Sequence, residues 1–283
     1  MSLITTFIPP RIQRSLLKGE QSAAGGDAPQ ASQGDIEERL RRCEEALSKN
    51  PADPVALSTR AWFLHLLGRD HEALRSVDRA LVLNPDDAAS WYKEAEILEG
   101  MGRHEESAEA RVSGLSLAPT HEEWFKLGLT LEKMGRFREV IRAMDHVLSL
   151  NPSSGRAWAK RATALNQLGR YSEALMSSRQ ALNLSPRQPY PLYTMGVSLA
   201  LLQRCQEALP VFDRILTTIP QDPGSWFWKG FCCEHLGRSR DALQAYDQAL
   251  TLEPGNENAL KCRTALQKKL EETGKPNCPP PSP

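Results

Sequence analysis

Cysteine and histidine supply many of the side chains that ligate metals or act as nucleophiles, and this sequence brings Cys232, Cys233 and His235 close together. A tetrahedral zinc site needs four ligands around the ion, and within a helix only residues three or four apart share a face. The other histidines that could contribute show no such spacing: His65, His71, His104, His121 and His146. Glycine-rich phosphate loops, nucleophile elbows and His-Glu-x-x-His pairs do not occur in the sequence. These features predict a protein that is not an enzyme and has no metal or cofactor.

Basic side chains recur at one position every 33 or 34 residues, at Lys93, Lys126 and Lys160. Neighbouring helices lie about 8–10 Å apart, which is close to the Debye length, so these ammonium groups, with Arg156 nearby, would act together on an anion. The row therefore predicts binding of an acidic peptide segment or a carboxylate terminus. The alternative is a solvated helix face, because Glu96 and Glu122 are placed to neutralise two of the lysines as ordinary helical pairs.

Aromatic side chains are concentrated later in the chain, at Tyr190, Tyr193, Phe227, Trp228 and Phe231. Exposed aromatic clusters are favoured as anchors in interfaces, so these residues are predicted to bind a partner peptide. The alternative is that the rings fill space between neighbouring helices. A Trp228→Ala substitution separates the two interpretations, since an anchor is lost without change in melting temperature, whereas a packing residue is lost with a large decrease in stability.

The elements that position these residues follow from a repeat in the sequence. Prolines end a short phrase at intervals of 34, 34, 33, 34, 34 and 34 residues, at Pro51, Pro85, Pro119, Pro152, Pro186, Pro220 and Pro254. A constant period of this length is typical of stacked supersecondary units, none of which can bury its apolar face alone.

Each period contains a helix, a turn and a second helix. Turn phrases such as Leu67-Gly68-Arg69 recur, and glycine there tolerates the left-handed conformation that ends a helix. In the first helix of a period, an apolar stripe such as Trp124, Leu127, Gly128 and Leu131 predicts the buried seam. A bulky side chain at Gly128 is predicted to cost about 1–3 kcal/mol through overpacking.

The phrase Trp-x-x-Leu-Gly-x-x-Leu at Trp124 to Leu131, followed by Val140, Met144, Val147 and Pro152, resembles the tetratricopeptide repeat (TPR) pattern. The resemblance implies an all-α fold, a right-handed superhelical solenoid of antiparallel helix pairs with a C-terminal capping helix. It also implies that the residues opposite the seam line a concave groove, which would contain the lysine row and the aromatic residues. The Lys and Asn set with which chaperone-tail-binding members clamp carboxylates is not reproduced, because the matching positions are Ser58, Trp62, Tyr92 and Glu96.

The repeat phase predicts a tail with a flexible linker at residues 1–34 and a partial opening repeat at 35–53. Six full repeats follow, at residues 54–87, 88–120, 121–154, 155–188, 189–222 and 223–256. A capping helix at residues 257–273 and a disordered Pro-rich tail at 274–283 complete the prediction. The apolar segment Met1 to Lys18 is either a docking peptide or a frayed tail. The second full repeat has Ser107, Arg111 and Gly114 where the family usually has Ala, an aromatic residue and Ala. That hairpin is therefore expected to be looser than its neighbours.

Composition narrows the function further. Thirty-five Lys plus Arg balance thirty-five Asp plus Glu, so there is no net field to attract nucleic acid. The six cysteines show no paired spacing, and the sequence has no long apolar run, which together predict a cytoplasmic protein with free thiols that does not bind a membrane. The leading prediction is a scaffold or adaptor that binds a protein or peptide in its groove. The alternatives are a substrate-recruiting subunit of an enzyme complex and a self-assembling scaffold.

Overall fold

The computed structural model of the chain describes residues 32–186 and 188–273. These residues form fourteen α-helices without any β-strand, which confirms the predicted all-α class. The helices are α1 (Gln33–Lys49), α2 (Pro54–Leu66), α3 (Asp70–Leu83), α4 (Ala88–Gly100), α5 (His104–Leu117), α6 (His121–Lys133), α7 (Phe137–Leu150), α8 (Gly155–Gln167), α9 (Tyr171–Leu184), α10 (Pro189–Leu201), α11 (Cys205–Thr218), α12 (Pro223–His235), α13 (Ser239–Leu252) and α14 (Glu257–Thr273).

The two predicted tails lie outside the described residues, apart from residues 32–34. There, α1 begins at Gln33, slightly earlier than the sequence pattern indicated. Ser32 is the reason, because its side chain accepts a hydrogen bond from the backbone N–H of Asp35 while the Asp35 carboxylate accepts one from the backbone N–H of Ser32. This capping box satisfies two backbone donors at the helix start.

The helices form two compact units, and the division between them falls between Ala164 and Leu165, within α8. In both units, consecutive helices are joined by loops of three or four residues, and helices such as α2 and α3 or α12 and α13 pack on their neighbours in the chain. First helices also contact the first helix of the next pair, as α2 contacts α4 and α10 contacts α12. These contacts between pairs are characteristic of a helical repeat, in which neighbours supply the buried surface that a single hairpin lacks.

The turns within the hairpins adopt the left-handed conformation that the Gly-Arg phrase predicted. Gly68, Gly102, Gly135, Gly169 and Gly237 have φ between 71° and 75°. In the remaining turn the same place is taken by Gln203, at φ 61°, which is strained for a residue with a Cβ atom. The arginine after each turn pairs with an acidic residue three positions later, for example Arg69 Nη2 with Glu72 Oε2 at 2.7 Å.

The cores of the hairpins are built from small residues on the first helix facing large ones on the second. A Cβ atom at Gly196 would lie 2.7 Å from the Phe212 ring, and one at Gly230 would lie 2.7 Å from the Tyr246 ring. Phe212 and Tyr246 are completely buried. The close approach that the sequence pattern required of its small seam residues is therefore present in the structure.

The second full repeat is packed in a different way from the others. Arg111, which stands where other repeats have apolar or small residues, is 2% exposed and forms an ion pair with Glu123 at the start of α6. The ring of Tyr92 fills the space beside Gly114, where a Cβ atom would lie 2.6 Å from the ring, and its hydroxyl donates to the Ala118 carbonyl. The aromatic ring is thus supplied by the first helix instead of the second, and the hairpin is filled.

Candidate functional site

The face of the first unit formed by its first helices carries a ladder of polar contacts between successive helix pairs. Ser90 Oγ donates to Ser58 Oγ at 2.8 Å, which links α4 to α2. Thr130 Oγ1 donates to Glu99 Oε2 at 2.7 Å, which links α6 to α4. Each contact joins residues about one repeat apart in sequence, so side chains on this face hold adjacent hairpins together.

Two of the three predicted lysines bind carboxylates within this ladder. Lys126 Nζ donates to Glu96 at 2.5 Å and to Glu123 at 3.0 Å, and Lys160 Nζ donates to Glu132 at 2.9 Å. Burial alone would lower the pKa of Lys126, but the hydrogen bonds to the two carboxylates outweigh it, so that pKa is raised. The positive charges of both side chains are therefore used within the protein.

Lys93 has a neutral partner. Its Nζ donates to Ser58 Oγ at 2.8 Å, and burial lowers its pKa from the ordinary lysine value. The row of three lysines is present on one face, as the spacing predicted, but their surroundings differ from one repeat to the next. Whether any of them contacts a partner stays a prediction.

Arg156 stands apart from the lysines. It is exposed near the start of α8, and its guanidinium carbon lies 4.7 Å from the centroid of the half-buried Phe125 ring. Within residues 32–186 and 188–273 it forms no ion pair, so its hydrogen-bond donors face solvent while the ring fixes the plane of the guanidinium. The sequence indicated Arg156 only as a neighbour of the lysines and did not predict its contact with Phe125.

The acidic partners in the preceding repeat were missed by reasoning from the local sequence, which paired Glu96 with Lys93 instead of with Lys126. Glu96 and Glu132 lie 30 and 28 residues before their partners, on the preceding first helix. The pairing considered for Lys126, with Glu122 one turn earlier on α6, is the weakest of its ion pairs at 4.0 Å. A search for opposite charges one repeat apart would have found the stronger pairs.

The predicted aromatic anchors lie in the second unit, and most of them form part of its core. Tyr193, Trp228 and Phe231 are 6%, 6% and 7% exposed, and Trp228 Nε1 donates to the Tyr193 hydroxyl at 3.2 Å. Phe227 is half-buried, with its ring centroid 6.0 Å from that of Tyr246. Burial raises the pKa of Tyr193 far above the ordinary tyrosine value.

These positions favour the packing interpretation of the rings over the exposed-anchor interpretation. A ring with so little accessible area has little surface for a partner, and Trp228→Ala would remove a buried side chain at a cost of about 3–5 kcal/mol. That substitution therefore does not report selectively on partner binding. Tyr190 is half-buried at the start of α10 and, like Phe227, stays a candidate contact residue.

The cysteines and histidines singled out in the sequence are placed without a common site. Among the residues that the structure describes, no three His, Cys, Asp or Glu side chains are positioned to hold a metal ion. Cys43, Cys205, Cys232, Cys233 and Cys262 are free thiols, and burial raises the pKa of Cys232 and Cys233. A raised thiol pKa lowers the thiolate fraction, so these are poor nucleophiles at neutral pH.

Comparison with protein-family models identifies the repeats. Models described as tetratricopeptide repeat match residues 67–111, 125–189 and 223–256, which together make up just over half of the chain. This chain belongs to the tetratricopeptide repeat family. Comparison with curated proteins finds no match.

Solved TPR structures share the fold of this TPR chain. One is the C-terminal part of a TPR repeat-containing protein from Cytophaga hutchinsonii, with a TM-score of 0.64 and 15% identity over 89% of this chain and 98% of that one. Another is YrrB, described as a TPR protein with an unusual peptide-binding site, with a TM-score of 0.53 and 17% identity over 80% of this chain and 99% of that one.

A third similar structure contains Naa15 and Naa10 bound to HypK-THB, with a TM-score of 0.56 and 16% identity over 92% of this chain and 39% of that one. All three likenesses are in fold. They confirm an all-α helical repeat of the solenoid class, and TPR arrays of this kind generally act as scaffolds for protein interaction. None of the described helices is long and apolar enough to cross a membrane.

Proposed function

We propose that this TPR protein is a non-catalytic adaptor that holds a peptide segment of a partner protein against the first helices of its repeats. Membership of the TPR family supports a role in protein interaction, and the similar protein YrrB is described as having a peptide-binding site. First helices in both units carry side chains that are not fully buried, such as Arg156 and Phe227, as a peptide-binding face requires.

The observation that carries the proposal is the Arg156–Phe125 pair in the first unit. An exposed guanidinium held 4.7 Å above an aromatic ring is already oriented, so it loses little freedom when it binds a carboxylate through two parallel N–H groups. Lys126 and Lys160 bind carboxylates of the protein itself and are unavailable without loss of those pairs.

An acidic residue or a carboxylate terminus of the partner is therefore proposed to bind at Arg156, in preference to the lysine row. Phe125 would contribute apolar contact beneath the bound group. In the second unit, the half-buried side chains of Tyr190 and Phe227 are the proposed contacts. We propose a cytoplasmic location for this adaptor, because the cysteines of the described residues are free thiols.

Affinity capture tests this proposal. Proteins retained by the wild-type chain from a cell lysate are compared by quantitative mass spectrometry with those retained by Arg156→Glu and by Phe125→Ala. We expect both variants to lose the same proteins by at least tenfold, because an acidic side chain repels a carboxylate and loss of the ring frees the guanidinium.

The control is Arg142→Glu, which makes the same charge change at an exposed position on a second helix, α7. Its retained proteins should match those of the wild type. Equal losses in Arg142→Glu and Arg156→Glu would contradict a specific site, and unchanged retention by Arg156→Glu would exclude Arg156 as the anchor. Circular dichroism of each variant establishes that the helices are intact.

A further inference from the structure

Among the residues that the structure describes, the N-terminal end of the first unit leaves uncovered a helix face that is buried in the later hairpins. On α3, Ala73, Val77 and Ala80 face the first helix of their own hairpin and are at most 1% exposed. The residues one repeat earlier are on α1, which has no first helix before it in the described chain. There, Arg39 and Ala46 are exposed and Cys43 is half-buried.

The adjacent helix α2 is uncovered on the same side. Ser90 and Ile97 of α4 are 1% and 0% exposed, because α2 lies against them. Their equivalents one repeat earlier, Ala56 and Phe63 of α2, are only half-buried. Within the described residues, two apolar faces that elsewhere enclose a first helix thus remain open. We call this surface the N-terminal seat, formed by Arg39, Cys43, Ala46, Ala56 and Phe63.

Arg39 places a charge at a position that is uncharged in every later hairpin. The equivalent positions hold small or apolar residues, which are Ala73, Ser107, Val140, Ala174, Ala208 and Ala242. Arg39 forms no hydrogen bond or ion pair with any residue in the described ranges, and its charge only contributes to lowering the pKa of Asp35 one turn away. A guanidinium that becomes covered in an interface needs a carboxylate partner, because an unpaired buried charge is strongly destabilising.

The second hairpin shows where that carboxylate would lie. Ser107, the equivalent of Arg39, has its hydroxyl 3.3 Å from the Glu99 carboxylate of the first helix packed against it. An acidic residue at the matching position of an incoming helix would therefore lie within reach of Arg39. We propose that the N-terminal seat binds an amphipathic α-helix of a partner protein, with its apolar stripe on Cys43, Ala46 and Phe63 and a carboxylate paired with Arg39.

The chain itself is poorly suited to supply this helix. The stretch in phase with the repeat, residues 20–32, contains Gly25, Gly26 and Pro29, all of which disfavour a helix interior. The charged side chains of residues 1–18 are Arg11, Arg14 and Lys18, which have the same sign as Arg39. On α14 of a second copy, the position that matches Glu99 is Lys268, again of the same sign. The charge of the seat favours a separate, acidic partner helix.

A designed peptide tests the proposal on the full-length protein. The probe is a helix-stabilised, fluorescently labelled peptide with the sequence of residues 88–101, which carries Trp91, Ala95 and Glu99 on a first-helix pattern. Fluorescence anisotropy should show saturable binding that Arg39→Glu weakens at least tenfold. A peptide with Glu99→Arg should bind the Arg39→Glu protein at least tenfold more tightly than the original peptide does.

Two control variants make the result specific. Arg75→Glu changes an exposed arginine on α3 away from the seat, and Arg156→Glu changes the proposed groove anchor. Both should leave binding of the probe unchanged, so that failure of the groove proposal and failure of the seat proposal can be told apart. Binding that is insensitive to the charge at position 39 would overturn the seat proposal.

Cys43 provides an independent readout at the seat itself. Its rate of maleimide labelling, followed by peptide-level mass spectrometry, should fall at least fivefold when the probe saturates, whereas the rate at half-buried Cys262 should not change. Protection of Cys43 in the free protein that is lost on deletion of residues 1–18 would show that the chain fills its own seat. Protection that appears only as protein concentration rises would assign the seat to a second copy, and either result would overturn the proposal.

Discussion

Glu94 is a partly buried carboxyl group whose pKa is strongly raised. Burial on α4, with the nearby charge of Asp78 on α3, raises the pKa of Glu94 to about 7, despite the opposing effect of Arg103. Its Oε2 atom is buried and has no hydrogen-bond partner among the described residues. A carboxylate in this position is more easily protonated in the folded chain than in the unfolded chain, where its pKa is near 4.5.

The pH dependence of stability follows from that difference. Between about pH 4.5 and 7 the folded state binds more protons at Glu94 than the unfolded state, so this residue makes the fold more stable as pH falls from 8 to 5. One pKa unit corresponds to about 1.4 kcal/mol, and partial solvent screening reduces the effect. The gain in the free energy of unfolding is therefore on the order of 1–3 kcal/mol. Urea denaturation at pH 8 and pH 5.5 measures it.

Glu94→Gln should remove this contribution and raise the stability at pH 8. The comparison is made as a difference from wild type, so that the other titrating groups cancel. Glu207→Gln, at an exposed position where Arg204 lowers the pKa of the carboxyl, is the control and should retain the wild-type difference between pH 8 and pH 5.5. An identical pH difference in wild type and Glu94→Gln would refute the assignment.

A second residue-scale consequence concerns the buried pair of Arg111 and Glu123. Glu123→Gln would leave the charge of Arg111, 2% exposed, without its carboxylate, and should destabilise the fold by about 3 kcal/mol. The double variant Arg111→Leu with Glu123→Gln should recover most of that loss, because the buried charge is removed. Chemical denaturation of the three variants checks both statements, and strictly additive effects would argue against a coupled pair.

At the scale of the hairpin, the seam glycines are not equivalent. A Cβ atom at Gly230 would lie 2.7 Å from the rigid Tyr246 ring and 3.2 Å from the backbone oxygen of Ala242. A Cβ atom at Gly128 would lie 2.2 Å from Met144 Cε, which is the end of a flexible side chain. Methionine can move its terminal methyl group, whereas a ring packed against backbone cannot.

Gly230→Ala is therefore expected to cost about 1–3 kcal/mol through overpacking, and Gly128→Ala clearly less. The two variants make the same chemical change at equivalent positions of two repeats, so each controls for the other. Thermal and chemical denaturation give the comparison. Equal losses in the two variants would show that Met144 is held as firmly as Tyr246, contrary to the expectation.

For the whole chain, the important property is that described helices pack mainly on helices adjacent in sequence or one further along. Stability in such an array is the sum of local terms and nearest-neighbour interfaces. Damage in one hairpin should therefore spread only a short distance.

Hydrogen exchange with mass spectrometry tests this property. In the Gly230→Ala variant, exchange should accelerate in α12 and α13 and to a smaller extent in their neighbours α11 and α14, while peptides from α2 to α4 keep wild-type rates. The wild-type protein under identical conditions is the reference. Faster exchange of equal size in α2 to α4 would indicate global cooperativity and contradict the nearest-neighbour description.

The sequence predicted the structure best at positions where every repeat has the same backbone and packing requirement. The period, the helix pairs and the left-handed glycines such as Gly68 follow from backbone and packing requirements that every repeat shares. The environments of Lys126 and Trp228 could not be predicted in the same way, because their partners Glu96 and Tyr193 belong to the preceding repeat. Position in the pattern indicated which face a side chain occupies, but not whether a neighbour already covers it.

The ladder on the first-helix faces does not have the same pair of groups at every step. Ser58 meets Ser90 and Lys93, Glu96 meets Lys126, Glu132 meets Lys160, and Asn166 meets Ser198. If whole repeats were exchanged, some carboxylates and ammonium groups would lose their partners, even though every hairpin remained correctly folded. The repeats are alike enough to stack but are not interchangeable, because the polar contacts between successive first helices depend on the order of the repeats.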